Sequence, residues 1–183
     1  MKRSVVLAGV LFMVFVAISH PWAKSTEFRS DAGRFSVIVP EPIKQTTVTT
    51  KSILGKMVVP FFRTRKDNIL YSITYFDFPS YLDYARLILP AYDPEKRLEE
   101  YCQRLEKKLH AKVISQGKIT LDNNPGREVV LESAEKLGRG AVLKAHVFLV
   151  GNRLYHMMVV APRGKLDAPE VTSFFDSFRV RTK

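Results

Sequence analysis

The chain has 183 residues, of which 46% are apolar and 26% are charged. This balance is typical of a globular protein and excludes a disordered or fibrous chain, while the length corresponds to one domain. The single cysteine, Cys102, excludes an intrachain disulfide and a cysteine-rich metal site. With 29 Lys and Arg against 18 Asp and Glu, the formal net charge is +11. That excess indicates either a solvated basic surface or an anionic counterpart.

Residues 1–23 have the layout of a secretory signal peptide. Lys2 and Arg3 precede an uncharged apolar run of 14 residues, Val5–Ile18. The run is shorter than the roughly 20 residues of a membrane span, so we expect a cleaved signal, with an uncleaved N-terminal anchor as the alternative. Residues 24–183 then form one globular domain, periplasmic or secreted. An exported protein rarely meets nucleic acid, which leaves anionic lipid, polysaccharide or an acidic protein as counterparts.

Four strands are predicted in the first half of the domain. The second is rich in threonine and mostly polar, which is typical of a sheet edge. Gly55-Lys56 is predicted as the turn into the third strand, where Pro60 suggests an edge position or a bulge. In the fourth strand alternate side chains face opposite sides: one face has Tyr71, Ile73 and Tyr75, and the other has Leu70, Ser72, Thr74 and Phe76. The predicted strands are Arg34–Val39, Gln45–Ser52, Met57–Arg65 and Ile69–Phe78.

A long amphipathic helix is predicted to begin at Asp93, with Pro94 at its first position and Glu95 in its first turn. It should end near 110–112, where basic residues complement the helix dipole. Cys102 lies on the apolar stripe and is expected to be a buried, inert thiol. The stripe consists of Leu98, Tyr101, Cys102, Leu105 and Leu109.

The second half of the domain is predicted to contain four strands and a short helix. Asn123-Asn124-Pro125-Gly126 is the predicted turn of the first hairpin. Gly151-Asn152 is the two-residue loop of the second, and its register pairs Val150 with Arg153. The predicted elements are strands Lys118–Leu121, Arg127–Glu132, Ala141–Val150 and Arg153–Ala161 and helix Pro169–Phe178.

This order, four strands, a helix, four strands and a helix, indicates an α+β fold. Hairpin-length connections favour a mainly antiparallel sheet. Because each amphipathic helix must cover apolar surface, and the sheet has two faces, we expect an α/β/α sandwich.

The register of the second hairpin sends His146 and His156 to opposite faces, so they cannot share a metal ion. No nucleophile motif occurs, and no glycine-rich loop could hold a phosphate. We therefore expect no metal, no cofactor and no enzymatic activity, with a hydrolase as the least supported alternative.

Two surfaces are candidate binding sites. The first is the aromatic connection Pro79–Tyr92, which either plugs one end of the sandwich or recognises a protein partner together with nearby basic residues. The second is the mixed face of the late hairpin, which would line a cleft for a small ligand or an anionic lipid. The first set is Tyr81, Tyr84, Arg86, Leu87, Tyr92, Arg63, Arg65 and Lys66; the second is Lys144, His146 and Tyr155.

Five short motifs span most of the domain: Gly33-Arg34-Phe35-Ser36-Val37 before Pro40, Tyr71–Pro79, Pro125-Gly126-Arg127-Glu128, Val150–Tyr155 and Phe174–Phe178. Together they resemble the PsbP-like family, relatives of the extrinsic PsbP subunit of photosystem II. The resemblance implies an α/β/α sandwich around an antiparallel sheet and non-catalytic binding roles in exported compartments, often on membrane complexes. We therefore expect an exported binding or scaffold protein that contacts an envelope protein or complex.

Overall fold

Two antiparallel sheets and two helices are found in the computed structural model, which describes residues 25–52, 55–78, 93–133 and 135–181. The predicted signal peptide lies outside these residues. The small sheet contains β1 (Thr26–Ser30), β2 (Phe35–Val39) and β10 (Arg179–Val180). The large sheet contains β3 (Lys44–Ser52), β4 (Gly55–Lys66), β5 (Ile69–Asp77), β6 (Lys112–Leu121), β7 (Asn124–Glu132), β8 (Ala141–Val150) and β9 (Arg153–Pro162). The helices are α1 (Pro94–Leu109) and α2 (Pro169–Asp176), the latter preceded by a 3₁₀ turn at Arg163–Lys165.

The large sheet has the order β3-β4-β5-β9-β8-β7-β6, and all its neighbours are antiparallel. The predicted α+β class with a mainly antiparallel sheet is confirmed. Two runs of hairpins, β3–β5 and β6–β9, meet along a seam where β5 pairs with β9. The chain thus builds each half of the sheet from neighbouring segments and joins the halves once.

The large sheet buries both faces. Helix α1 packs on β7 and β8, and its buried Leu98 and Cys102 contact the apolar side chains of these strands. The opposite face is covered by α2 together with the small sheet, through Phe174 of the helix and Phe35 and Val37 of β2. The small sheet was not predicted, because β1 has the sequence TEFRS, in which only Phe28 is apolar.

Helix α1 has the termini that its sequence predicts. Asp93 caps the N-terminus by accepting a hydrogen bond from the Glu95 amide at 2.9 Å. His110 ends the helix in the left-handed conformation, with φ of 47°. Cys102 is 6% exposed, and burial raises the pKa of its thiol to about 11, as expected of an inert cysteine.

The register of the β8–β9 hairpin is confirmed, with Val150 opposite Arg153 and Gly151 at φ 58° in the loop. The predicted turn at 123–126 is wrong. The chain reverses at Asp122 and Asn123, whose φ values are 46° and 64°, and Pro125 already lies in β7. A two-residue loop of this kind needs positive φ at both positions, which Asp and Asn tolerate better than most residues.

Pro60 is not at a bulge, because the register of β4 with β3 is continuous. Its strand is second from the sheet edge, yet the predicted edge position holds locally, since Pro60 has no strand-pairing partner in β5. The β4–β5 pairing ends at Phe61 and Thr74. Pro60 is one residue beyond that ladder, where β5 needs no backbone donor from it. The predicted turn at Gly55-Lys56 is also wrong, because both residues belong to β4 and Gly55 pairs with Ser52.

Arg153, Asp77 and the Ala32 carbonyl form a polar cluster, here called the clamp, that connects the small sheet to the seam. Arg153 donates to both carboxylate oxygens of Asp77, at 2.5 and 2.7 Å, and to the Ala32 carbonyl at 2.9 Å. Its guanidinium also lies 4.5 Å from the centre of the Tyr75 ring. The clamp therefore holds the β1–β2 turn against the end of the β5–β9 pair.

Replacing Arg153 with methionine should lower the free energy of unfolding by about 2 kcal/mol, since hydrogen bonds to charged groups contribute roughly that much when one partner is buried. Arg153 is 8% exposed, whereas the Asp77 side chain is 55% exposed and water can solvate it. Urea unfolding measures the loss. Asp77→Asn serves as the control and should cost less, because it keeps an acceptor oxygen; equal stability of Arg153→Met and wild type would contradict the clamp.

Candidate partner-binding surface

Alternation along β4 separates its apolar and basic side chains. Phe62 and Thr64 are buried against the small-sheet side. Arg63 and Arg65 are exposed on the other face of the sheet. Helix α1 covers that face over β7 and β8, at the far end of the sheet, so it leaves the two arginines open to solvent.

Lys44 of β3 lies directly opposite Arg63 and is also exposed. We call Lys44, Arg63 and Arg65 the cationic face. In the part of the chain that the structure describes, none of the three forms an ion pair or a hydrogen bond through its side chain. Like charges directly opposite each other destabilise a strand pair. The charged groups of the cationic face therefore form no attractive pair within the described residues and are open to an anionic group.

Lys66 does not belong to the cationic face. It pairs with Ile69, whose fully buried side chain faces the small-sheet side, so Lys66 also points to that side. Of the predicted basic trio, the structure brings together Arg63 and Arg65 and adds Lys44, which the sequence analysis missed. The other predicted contact residues, which belong to the connection Pro79–Tyr92, lie outside the described residues: Tyr81, Tyr84, Arg86, Leu87 and Tyr92.

Lys144 and His146, predicted to line a ligand cleft, are both bound to Glu128. Its Oε2 atom lies 3.0 Å from Lys144 Nζ and 2.8 Å from His146 Nε2. Burial disfavours the Glu128 carboxylate, but these two hydrogen bonds outweigh burial and hold its pKa below the ordinary value. His146 also stacks on Phe175, with ring centres 4.1 Å apart.

The third residue of the predicted cleft, Tyr155, is in the core. It is 1% exposed, and its hydroxyl donates to the Gly33 carbonyl at 2.8 Å. A ligand at Lys144 and His146 would reach Tyr155 only after displacing the small sheet. The structure thus satisfies the polar atoms of this group internally, and no observation on it favours a ligand.

His156 lies on the opposite face of the sheet from His146, as the register predicts. It is 7% exposed, and its Nδ1 atom is 3.0 Å from the Tyr101 hydroxyl. Within the described ranges, no group of three His, Cys, Asp or Glu residues could hold a metal ion.

A charged cavity of about 570 Å³ lies beside the first half of α1, bordered by the β6–β7 hairpin. Glu95 Oε2 is 3.4 Å from both Lys118 Nζ and Arg127 Nη2. Acidic and basic side chains line the cavity in similar number and pair with each other. It therefore lacks the uniform charge that the cationic face has.

No protein-family model and no curated protein matches the sequence. Among solved structures, the cyanobacterial PsbP (CyanoP) of Synechocystis sp. PCC 6803 is similar, with a TM-score of 0.57 and 14% identity over 86% of this chain and 93% of that one. Protein PA94 of Pseudomonas aeruginosa, of unknown function, has a TM-score of 0.44 and 11% identity over 78% of this chain and 85% of that one. A protein of Bacteroides thetaiotaomicron VPI-5482 has a TM-score of 0.37 and 14% identity over 86% of this chain and 48% of that one. The likeness to CyanoP shows a PsbP-like fold.

Among residues 25–52, 55–78, 93–133 and 135–181, no helix has both the length and the apolar character needed to cross a membrane.

Proposed function

We propose that this chain is an exported, non-enzymatic binding protein that contacts an envelope or membrane-associated protein through the cationic face. The observation that carries the proposal is the cross-strand pair of Lys44 and Arg63, exposed side by side with Arg65 and without an acidic partner among the described residues. Such a group steers and holds an anionic surface. Of the anionic counterparts open to an exported protein, an acidic region of an envelope protein is favoured by the resemblance to the PsbP-like family, which implies binding roles on membrane complexes.

The titratable groups with shifted pKa values support a role in binding instead of catalysis. Asp77 is held by Arg153, Glu128 by Lys144 and His146, and the pKa of the buried Cys102 thiol is raised. The two carboxylates are engaged in ion pairs and the Cys102 thiol is buried and protonated at neutral pH, so none of the three is poised as a catalytic acid, base or nucleophile. Hydrolysis is therefore the weaker alternative.

Export is supported by the signal-peptide layout of residues 1–23 and by the motifs that resemble the PsbP-like family. We propose that the chain is a member of the PsbP-like family on the basis of these motifs, since the similarity to CyanoP concerns the fold. A periplasmic or secreted location, or a tether through an uncleaved N-terminal segment, is consistent with a partner in the envelope.

The experiment compares partner recovery from envelope extract by wild type and by Arg63→Gln/Arg65→Gln. The double variant should recover about tenfold less partner, and salt should reduce wild-type recovery similarly, because solvent-exposed charge pairs are screened at high ionic strength. Lys107→Gln/Arg139→Gln is the matched control: both residues are exposed and the net charge changes equally. Equal recovery by wild type and both variants would refute the cationic face as the contact surface.

A further inference from the structure

The two edges of the large sheet differ in how they are protected. At one edge, β6 has a register shift between Val113 and Ser115, an irregularity of the kind that discourages further strand pairing. At the other edge, β3 pairs with β4 without a break from Lys44 to Ser52. Residues 44–49 of β3 are all exposed, so both faces of this edge strand are in contact with solvent. An unbroken exposed edge is a template for another strand.

Pro60 identifies the backbone groups that β3 presents at this edge. Pro60 lies opposite Thr47 and has no N–H to donate to it, so we take the two as a non-hydrogen-bonded pair of the antiparallel ladder. Because such pairs alternate with hydrogen-bonded ones, the amides of Gln45, Thr47 and Thr49 then point away from β4. They form a row of donors along the free edge.

The composition of β3 suits strand addition, since five of its nine residues are threonine or valine. Lys44 of this strand and Arg63 behind it place positive charge at one end of the row. Charged edges repel strands of the same sign and so act against pairing between two copies of this basic chain. The same charges attract an acidic strand, which is the occupant that charge complementarity selects.

We propose that β3 accepts an extended acidic segment of the protein partner as an eighth strand of the large sheet. This inference rests on the proposed function and specifies its mode: main-chain hydrogen bonds to Gln45, Thr47 and Thr49 supply affinity, and the cationic face selects acidic side chains. An anionic membrane would contact the cationic face but would form no hydrogen bonds to the row of amides. Only an added strand would therefore protect these amides from hydrogen exchange.

The first test measures amide hydrogen exchange of the full-length protein by NMR, with a synthetic peptide of about nine residues that alternates glutamate and valine as the probe. Saturating peptide should slow exchange at Gln45, Thr47 and Thr49 by about tenfold, since these amides become hydrogen bonded. The same peptide with lysine in place of glutamate should give no protection. Unchanged exchange at these amides, or protection by both peptides, would overturn the proposal.

The second test uses Thr47→Pro, which removes an outward amide and leaves the donors that pair with β4. It should bind the acidic peptide about tenfold more weakly, whereas Thr47→Val should bind like wild type, because one hydrogen bond is lost only in the proline variant. Thermal unfolding verifies that both variants fold. Equal peptide affinity of a folded Thr47→Pro and Thr47→Val would also overturn strand addition.

Partner recovery from envelope extract separates this inference from the proposed function. If Arg63→Gln/Arg65→Gln loses the partner and Thr47→Pro keeps it, strand addition is wrong and the cationic face stands. If neither variant loses it, both proposals are wrong. Binding to phosphatidylglycerol vesicles, without amide protection in β3, would assign the cationic face to a membrane and overturn the acidic strand.

Discussion

Gly126→Ala should lower the free energy of unfolding by about 2–3 kcal/mol, because it adds a methyl group to a closely packed core. A Cβ atom at this position would lie 2.4 Å from Cδ1 of Phe148 and 2.9 Å from the Val147 carbonyl oxygen. Phe148 is 4% exposed and stacks on Phe178, with ring centres 6.2 Å apart. The Phe148 ring can move away from the new methyl group only by displacing the Phe178 ring that stacks on it. Urea unfolding of both proteins measures the difference.

Gly117→Ala is the matched control, since it makes the same substitution in the neighbouring strand β6, where nothing lies within 4 Å of the new Cβ. It should be neutral or stabilise by about 0.5 kcal/mol, because alanine loses less backbone entropy on folding than glycine. If both variants lost the same stability, the cause would be the backbone of this hairpin and not the Phe148 contact.

Acidification from about pH 7 to about pH 5 should remove about 2 kcal/mol of stability through His156, on the relation between proton binding and unfolding. Burial, and to a smaller extent Lys108, lowers the pKa of His156 from 6.5 to about 4. Between these two pKa values, His156 is therefore protonated in the unfolded chain and neutral in the folded one. This contribution to stability is complete above the unfolded pKa, falls as the pH drops below 6.5, and is lost at about pH 4.

His156→Gln should flatten this part of the pH profile, because glutamine binds no proton in this range. The measurement is the urea midpoint of wild type and of the variant across the pH range. Burial also lowers the pKa of His146, although the hydrogen bond to Glu128 partly opposes this effect. A smaller dependence of stability on pH should therefore remain in the His156 variant. A profile identical to that of wild type would show that His156 is hydrated and protonates freely in the folded protein.

The parts of the fold that the sequence predicted are those set by local chemistry. Asp93 and Pro94 define the start of α1, and the Gly151-Asn152 loop sets the register that separates the two histidines. The small sheet depends instead on contacts between distant segments, as in the pairing of β2 with β10. The position of Pro60 depends on distant segments too: it lies in a strand that is second from the edge, and only the end of the β4–β5 ladder leaves it without a strand-pairing partner on that side.

The candidate site was half predictable. Arg63 and Arg65 stand out in the sequence, and the alternation of strand residues already places Lys66 on the opposite face. Lys44 was missed because the turn was placed at Gly55-Lys56, and that register would put Val48 opposite Arg63 instead. The edge position of β3 was predicted from its polar composition, but its unbroken pairing required the structure.

The seam between β5 and β9 sets an order for folding. Each half of the large sheet is made of hairpins whose strands are close in sequence, whereas Asp77 and Arg153 across the seam are 76 positions apart. Closing so long a loop costs entropy before any contact compensates for it, so the halves can form early and the seam must form late. The clamp at Arg153 and the strand pair of β2 and β10 lie at this late junction, where interactions slow unfolding more than they speed folding. We therefore expect the two halves of the sheet to join late in folding, and we expect substitutions at this junction to raise the unfolding rate more than they lower the folding rate.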